Sequence, residues 1–201
     1  MTERQSCSSC GALILLDTAA RNGGLCMPCK RGTRKSIEAG KRYRDERRIY
    51  EQSAERKYWL ALVGRVHDTP DGFEHLRPEE KTYFAVSCLI GEVHNGGFEQ
   101  FFYNSSGSLF GHAMDGLIEL DAAKSVALLV KARDAVFADS VVPRDRQDRF
   151  SRMLTNSEDD DASSKASSLL NALDKEFCMD EDGLTELSAQ YAVSHGFYSK
   201  S

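Results

Sequence analysis

The chain has 201 residues, of which 41% are hydrophobic, 28% charged and 9% aromatic, with a formal net charge of −5. That composition excludes wholesale disorder and collagen-like or linker sequence. No apolar run, Ala12 to Leu16 included, approaches the roughly 18–20 residues that span a bilayer. The start is polar and carries no readable signal peptide, so the expectation is a cytoplasmic protein of one or two domains. The net charge hides an asymmetry. Residues 1–70 hold 14 Lys and Arg against 8 Asp and Glu, while residues 71–201 hold 12 against 23. The basic front suits nucleic acid or an acidic protein, and the acidic back suits basic partners. Mutual attraction of the two parts, or simple solvation, explains the same numbers.

The first element is a cysteine pattern. Cys7 and Cys10, then Cys26 and Cys29, follow the C-x2-C…C-x2-C spacing of a structural zinc site. Two cysteines three positions apart on a tight turn aim both sulfurs at one tetrahedral ion. Four thiolates close the coordination sphere, so such a site holds structure and does not catalyse. A disulfide pair would suit a secreted chain, and a redox CxxC needs only one pair. One zinc ion in residues 1–33 is therefore the expectation. Between the pairs, residues 12–16 read as a short strand and Asn22-Gly23-Gly24 as a turn, the layout of a zinc ribbon or reduced treble clef. The other two cysteines, Cys88 and Cys178, lie in apolar helical contexts and read as buried, inert thiols.

Residues 34–67 read as one long connecting helix. No proline interrupts them, and Ile37, Tyr43, Tyr50, Ala54, Tyr58, Leu62 and Val66 recur at helical intervals. Lys41, Arg42, Arg44, Arg47 and Arg48 make this helix basic. Such a cluster either neutralises nucleic-acid phosphates or is the solvated face of a connector; a protein partner is a third reading.

Residues 68–201 read as an acidic, all-helical domain, making the chain mainly α. Pro78 with Glu79 and Glu80 marks a helix start, and Asn95-Gly96-Gly97 a break. A short aromatic helix follows from Phe98 to Tyr103. Later helices are expected at about 109–120, 122–138, 144–154, 161–178 and 183–194. Two acidic runs stand out: Glu158, Asp159, Asp160 and Asp161, then Asp180, Glu181 and Asp182. The first also suits an N-terminal helix cap. His94 and His112 lack ligand spacing, and no nucleophile or acid–base arrangement suggests an enzyme.

The stretch Glu92 to Gly107 holds Asn95, Gly96, Gly97, Phe98, Gln100, Phe101 and Asn104 at fixed spacing. It resembles the signature of a bacterial all-helical family named after the C-terminal domain of a DNA-mimic protein. The resemblance spans roughly residues 55–197. The motif itself reads as mainly structural: glycines turn the chain, aromatics fill the core, and amides satisfy helix ends. A functional reading places Glu92, His94, Asn95, Gln100 and Asn104 around one pocket. The resemblance implies a non-enzymatic binding protein whose carboxylates stand in for phosphates before a DNA-binding regulator, and a homodimer. Direct nucleic-acid binding through residues 1–50, or immunity against a basic toxin, are the other readings.

Overall fold

A computed structural model describes residues 3–138 and 141–199. Among them the chain is mainly helical, with one small two-stranded sheet near the N-terminus. Contacts divide it into two compact units, Met1–Lys57 and Tyr58–Ser201.

The first unit opens with strands β1 (Arg4–Ser6) and β2 (Leu13–Leu15), antiparallel with Gln5 opposite Ile14. The expected strand over 12–16 is shorter than the apolar run. Leu16 instead starts helix α1 (Leu16–Arg21), where Asp17 suits the positive end of the dipole. The turn at Gly23 and Gly24 leads to α2 (Met27–Lys30), with Pro28 in its first turn. Helix α3 (Arg34–Gln52) follows and buries none of its residues.

The single helix expected over 34–67 is two. Ser53 takes an extended conformation (φ −65°, ψ 156°) and ends α3. Its hydroxyl accepts the Arg56 N–H at 3.0 Å, starting α4 (Ala54–His67). A serine hydroxyl that satisfies an orphan helix N–H makes a helix start there favourable. The apolar stripe divides at the same place. Ile37, Tyr43 and Tyr50 are exposed, whereas Tyr58, Leu62 and Val66 enter a core.

In the second unit, α5 (Pro78–Tyr103) is the central element. Helices α6 (Phe110–Glu119), α7 (Ala123–Phe137), α8 (Arg146–Arg152), α9 (Asp160–Phe177) and α10 (Leu184–Ser194) follow, each within about two residues of its expected limits. One core gathers Leu89, Phe98, Phe101, Phe102, Leu117, Leu129 and Leu173. A second, aromatic core joins Tyr58, Trp59 and Leu62 of α4 to Tyr83 and Phe84 of α5, and to Ala192 and Phe197. The Tyr58 and Phe197 rings stack at 5.0 Å.

Cys178 corrects one expectation. It caps α9 just beyond Phe177, which takes the core position, so its thiol is exposed. Cys88 on α5 is half-buried as a residue, and desolvation of its thiol pushes it up to about 12.

Candidate metal centre and interaction surfaces

The four cysteines Cys7, Cys10, Cys26 and Cys29 bring their sulfurs within 4.8 Å of one another. Two different backbone devices do this. The first pair sits on a knuckle between β1 and β2, closed by the Gly11 N–H on the Cys7 carbonyl at 2.9 Å. Gly11 is there because its φ is +72°. In the second pair, Cys26 is the N-cap of α2 and Cys29 lies one turn along it. The Cys10 and Cys26 sulfurs are 3.7 Å apart. A tetrahedral ion with metal–sulfur bonds of about 2.3 Å needs sulfurs about 3.8 Å apart, so this donor set can bind a metal ion.

The electrostatics of the cluster fit the same use. The Cys26 N–H donates to the Cys7 sulfur at 3.2 Å and brings that thiol down to about 6. At Cys26 the Cys29 N–H and the Arg34 guanidinium, 3.1 Å away, also pull downwards. At Cys10 the Ala12 N–H pulls downwards, but burial and the neighbouring sulfurs outweigh it and push the thiol up to about 11. Like charges this close do not all ionise unaided; a cation at their centre removes the conflict.

The family-like motif is a hydrogen-bond network around the Glu92 carboxylate. It accepts from Gln100 at 2.5 Å, Asn104 at 3.0 Å and Ser106 at 2.9 Å, while Asn95 donates to Gln100 at 3.2 Å. The motif residues therefore meet, with Ser106 as a member that spacing did not point to. His94 stays outside, against the Phe177 ring. The network ties the two halves of α5 across Gly96 and Gly97, which leave helical geometry. A Cβ on Gly96 would fall 2.1 Å from Gln100. His112 packs on Phe73 and joins no metal-binding group among the described residues.

Two polar residues, Asp174 half-buried and Arg149 fully buried, complete this region, and both escaped sequence reasoning. Asp174 on α9 accepts the Phe98 N–H. Arg149 is fully buried and bonds only carbonyl oxygens, those of Phe102, Pro143, Arg144 and Asn104, at 2.6–3.0 Å. Asp174 lies four residues from Leu170 on the apolar stripe of α9, and Arg149 lies four residues before the buried Met153 that caps α8. That spacing was the one signal available.

Glu80 is another polar residue whose role depends on packing. Its place in the first turn of α5 suits an exposed acid at the helix dipole, yet it is 3% exposed. Burial pushes its carboxyl up, but Arg65 at 2.5 Å, Arg77 at 3.4 Å and the Tyr58 hydroxyl at 2.8 Å outweigh that and hold it at about 2.

The acidic runs are partly consumed by the fold. Asp159 caps α9, accepting from Asp161 at 3.0 Å and Ala162 at 3.2 Å. Asp180 caps α10 through Leu184 at 2.5 Å. Asp182 caps α7 through Ser125 at 2.7 Å, and Glu181 pairs with Lys124. Glu158, Asp160 and Asp161 present exposed carboxylates. The basic cluster is wholly exposed on α3. Arg47 faces Glu51 at 4.0 Å and Arg48 bonds Asp45 at 3.2 Å. Lys41, Arg44 and Arg48 share one helix face by their spacing of three and four.

No helix among the described residues is long and apolar enough to cross a membrane. The family model described as DMP19-like protein matches residues 74–195, in agreement with the motif. Comparison with curated proteins and with solved structures finds no match.

Proposed function

We propose a binding function for this chain, which belongs to the DMP19-like protein family through residues 74–195. It is a non-enzymatic regulatory protein whose acidic helical unit docks a basic protein partner and mimics DNA toward a DNA-binding regulator. The observation that carries this reading is where the charge changes sign. The unit Met1–Lys57 holds 13 Lys and Arg against 7 Asp and Glu, and Tyr58–Ser201 holds 13 against 24. A balance of −11 on the unit that contains the family domain favours a cationic partner. The exposed carboxylates Glu158, Asp160 and Asp161 are the members of the acidic runs free to meet it. The four cysteines hold one structural zinc ion, which supplies folding energy to a segment too small for its own core.

The test is capture of partners from lysate of the native source, with and without nuclease, over a salt series. The reading expects a basic protein, retained after nuclease and released as salt rises. Retention indifferent to salt would overturn it.

A second reading is favoured by the exposed basic cluster of α3: nucleic acid bound along Lys41, Arg42, Arg44, Arg47 and Arg48. It expects DNA or RNA retention that is lost on charge reversal at Lys41, Arg44 and Arg48. Unchanged retention would remove it.

A further inference from the structure

Two hollows flank the stretch 141–147 on the second unit. One, of about 420 Å³, is lined by Gly111, His112, Asp115, Arg133, Val142 and Arg144. The other, of about 450 Å³, is lined by Tyr103, Asp145, Arg146, Gln147 and Phe150. Arg149 holds the stretch between them from below, since its guanidinium bonds the Pro143 and Arg144 carbonyls and the Phe102 and Asn104 carbonyls at the end of α5. A buried cation with every bond spent on backbone fixes where that backbone runs.

What this clamp presents is unlike the rest of the unit. The Arg144 side chain makes no hydrogen bond or close ion pair among the described residues; the one carboxylate within its electrostatic reach, Glu74, is bonded to Lys81 at 2.9 Å. Arg146 has no carboxylate partner among them; its Nε donates to the Tyr103 carbonyl at 3.0 Å and its guanidinium lies 4.9 Å over the Tyr103 ring. Tyr103 and Phe150 meet edge to face at 5.7 Å, yet stay 42% and 40% exposed. Val141 is 85% exposed. The nearby carboxylates are engaged elsewhere: Asp145 caps α8 through Asp148, and Asp148 pairs with Arg152. Asp115 lines the first hollow together with Arg133 and Arg144.

We propose that this surface docks an acidic peptide segment of a partner protein. Its carboxylates meet Arg144 and Arg146, and an apolar side chain seats against Tyr103 and Phe150. Charge complementarity selects the occupant. Two exposed guanidiniums with no carboxylate hydrogen-bonded to them suit a few carboxylates in the bidentate geometry arginine offers. Arginine, tyrosine and phenylalanine are residue types enriched at protein interfaces. Both hollows are open to solvent rather than enclosed, which suits a peptide better than a small molecule. A long polyanion such as DNA would meet the surrounding carboxylates. This inference does not rest on DNA mimicry, which concerns a basic partner and the acidic runs.

The test is fluorescence anisotropy on the full chain. The probes are a dye-labelled short peptide of Asp and Glu around one Phe, its Asn and Gln counterpart, and a short single-stranded oligonucleotide with the same dye. The acidic peptide should bind, with affinity about tenfold lower for the amide counterpart and for the double variant Arg144→Glu with Arg146→Glu. Lys165→Glu, an exposed reversal elsewhere, should leave it unchanged. Circular dichroism checks folding, and Arg144→Gln with Arg146→Gln replaces the reversal if that variant fails to fold. Absence of peptide binding, or binding indifferent to both arginine variants, would overturn the proposal. So would an oligonucleotide that binds tighter than the peptide and is lost in the variant. A concentration-dependent mass abolished by the variant would assign the surface to a second copy of the chain, and would overturn it too.

Discussion

The Asp174 carboxylate on α9 accepts the backbone N–H of Phe98 at 2.8 Å, across 76 residues of sequence. It acts as the N-cap for the second half of α5, placed there by another helix. The same carboxylate explains Gly97. That residue has a φ of +80°, and a Cβ on it would fall 2.3 Å from the Asp174 Oδ2. Gly97→Ala should therefore destabilise the chain by about 2 kcal/mol or more, from left-handed strain and the clash together. Asp174→Ala should cost about 1 kcal/mol, as for loss of a helix cap. In the double variant the clash disappears and the strain stays, so the two costs should not add. Urea unfolding of the three variants measures this; simple additivity would show that the residues do not interact.

Glu80 should make stability fall in acid. Its folded carboxyl titrates at about 2, below the usual value of about 4.3 for an unfolded glutamate. A depressed carboxyl contributes fully above the unfolded value, and that contribution fades as pH falls from about 5 towards 2. The loss should be about 2–3 kcal/mol. Glu80→Gln should lower stability at neutral pH and flatten the acid limb between pH 5 and 2. An unchanged limb in urea melts would rule Glu80 out as its source.

Arg149→Ala should be among the costliest single changes in the second unit. It leaves four carbonyl oxygens without their donor and empties a fully buried site. A loss of about 3–5 kcal/mol is expected. Arg149→Lys should rescue it only in part, because an ammonium has three donors and no planar fork. Thermal melts of both variants decide it.

Metal removal should act on one unit alone. A strong chelator, or Cys7→Ser with Cys26→Ser, should unfold the region around β1, β2 and α2 and leave the helical core of the second unit melting as before. Elemental analysis should find one zinc per chain, and cobalt loading should produce thiolate charge-transfer bands. Full resistance of the N-terminal amides to chelator, read by NMR, would show that the cysteines hold no structural ion.

A fragment cut at residue 74, where the family match begins, should be much less stable than one cut at residue 58. The shorter piece loses Tyr58, Trp59 and Leu62 from the aromatic core, and loses Tyr58 and Arg65 from Glu80. A carboxylate deprived of its partners while still buried is costly. Comparable denaturant midpoints for the two fragments would show that α4 adds nothing to the fold.

Much of this was legible in the residues alone. Helix limits follow from Pro78, the Asn95-Gly96-Gly97 break and apolar periodicity, which are local properties of the chain. The metal-binding group follows from cysteine spacing, because two sulfurs three residues apart have few other arrangements on a tight turn. The charge asymmetry and the family motif were equally local.

The tertiary structure decided what depends on distant partners. Whether Asp180, Asp182 and Asp159 offer charge to solvent or cap a helix depends on which N–H groups are brought beside them. Whether Glu80 is a surface acid or a buried one depends on Arg65, Arg77 and Tyr58 arriving around it. Arg149 and Asp174 look like ordinary surface charges until α5 presents its carbonyls and its Phe98 N–H. Spacing along a chain specifies which way a side chain faces on its own helix. A polar group's role depends on what it meets there, and only packing supplies that.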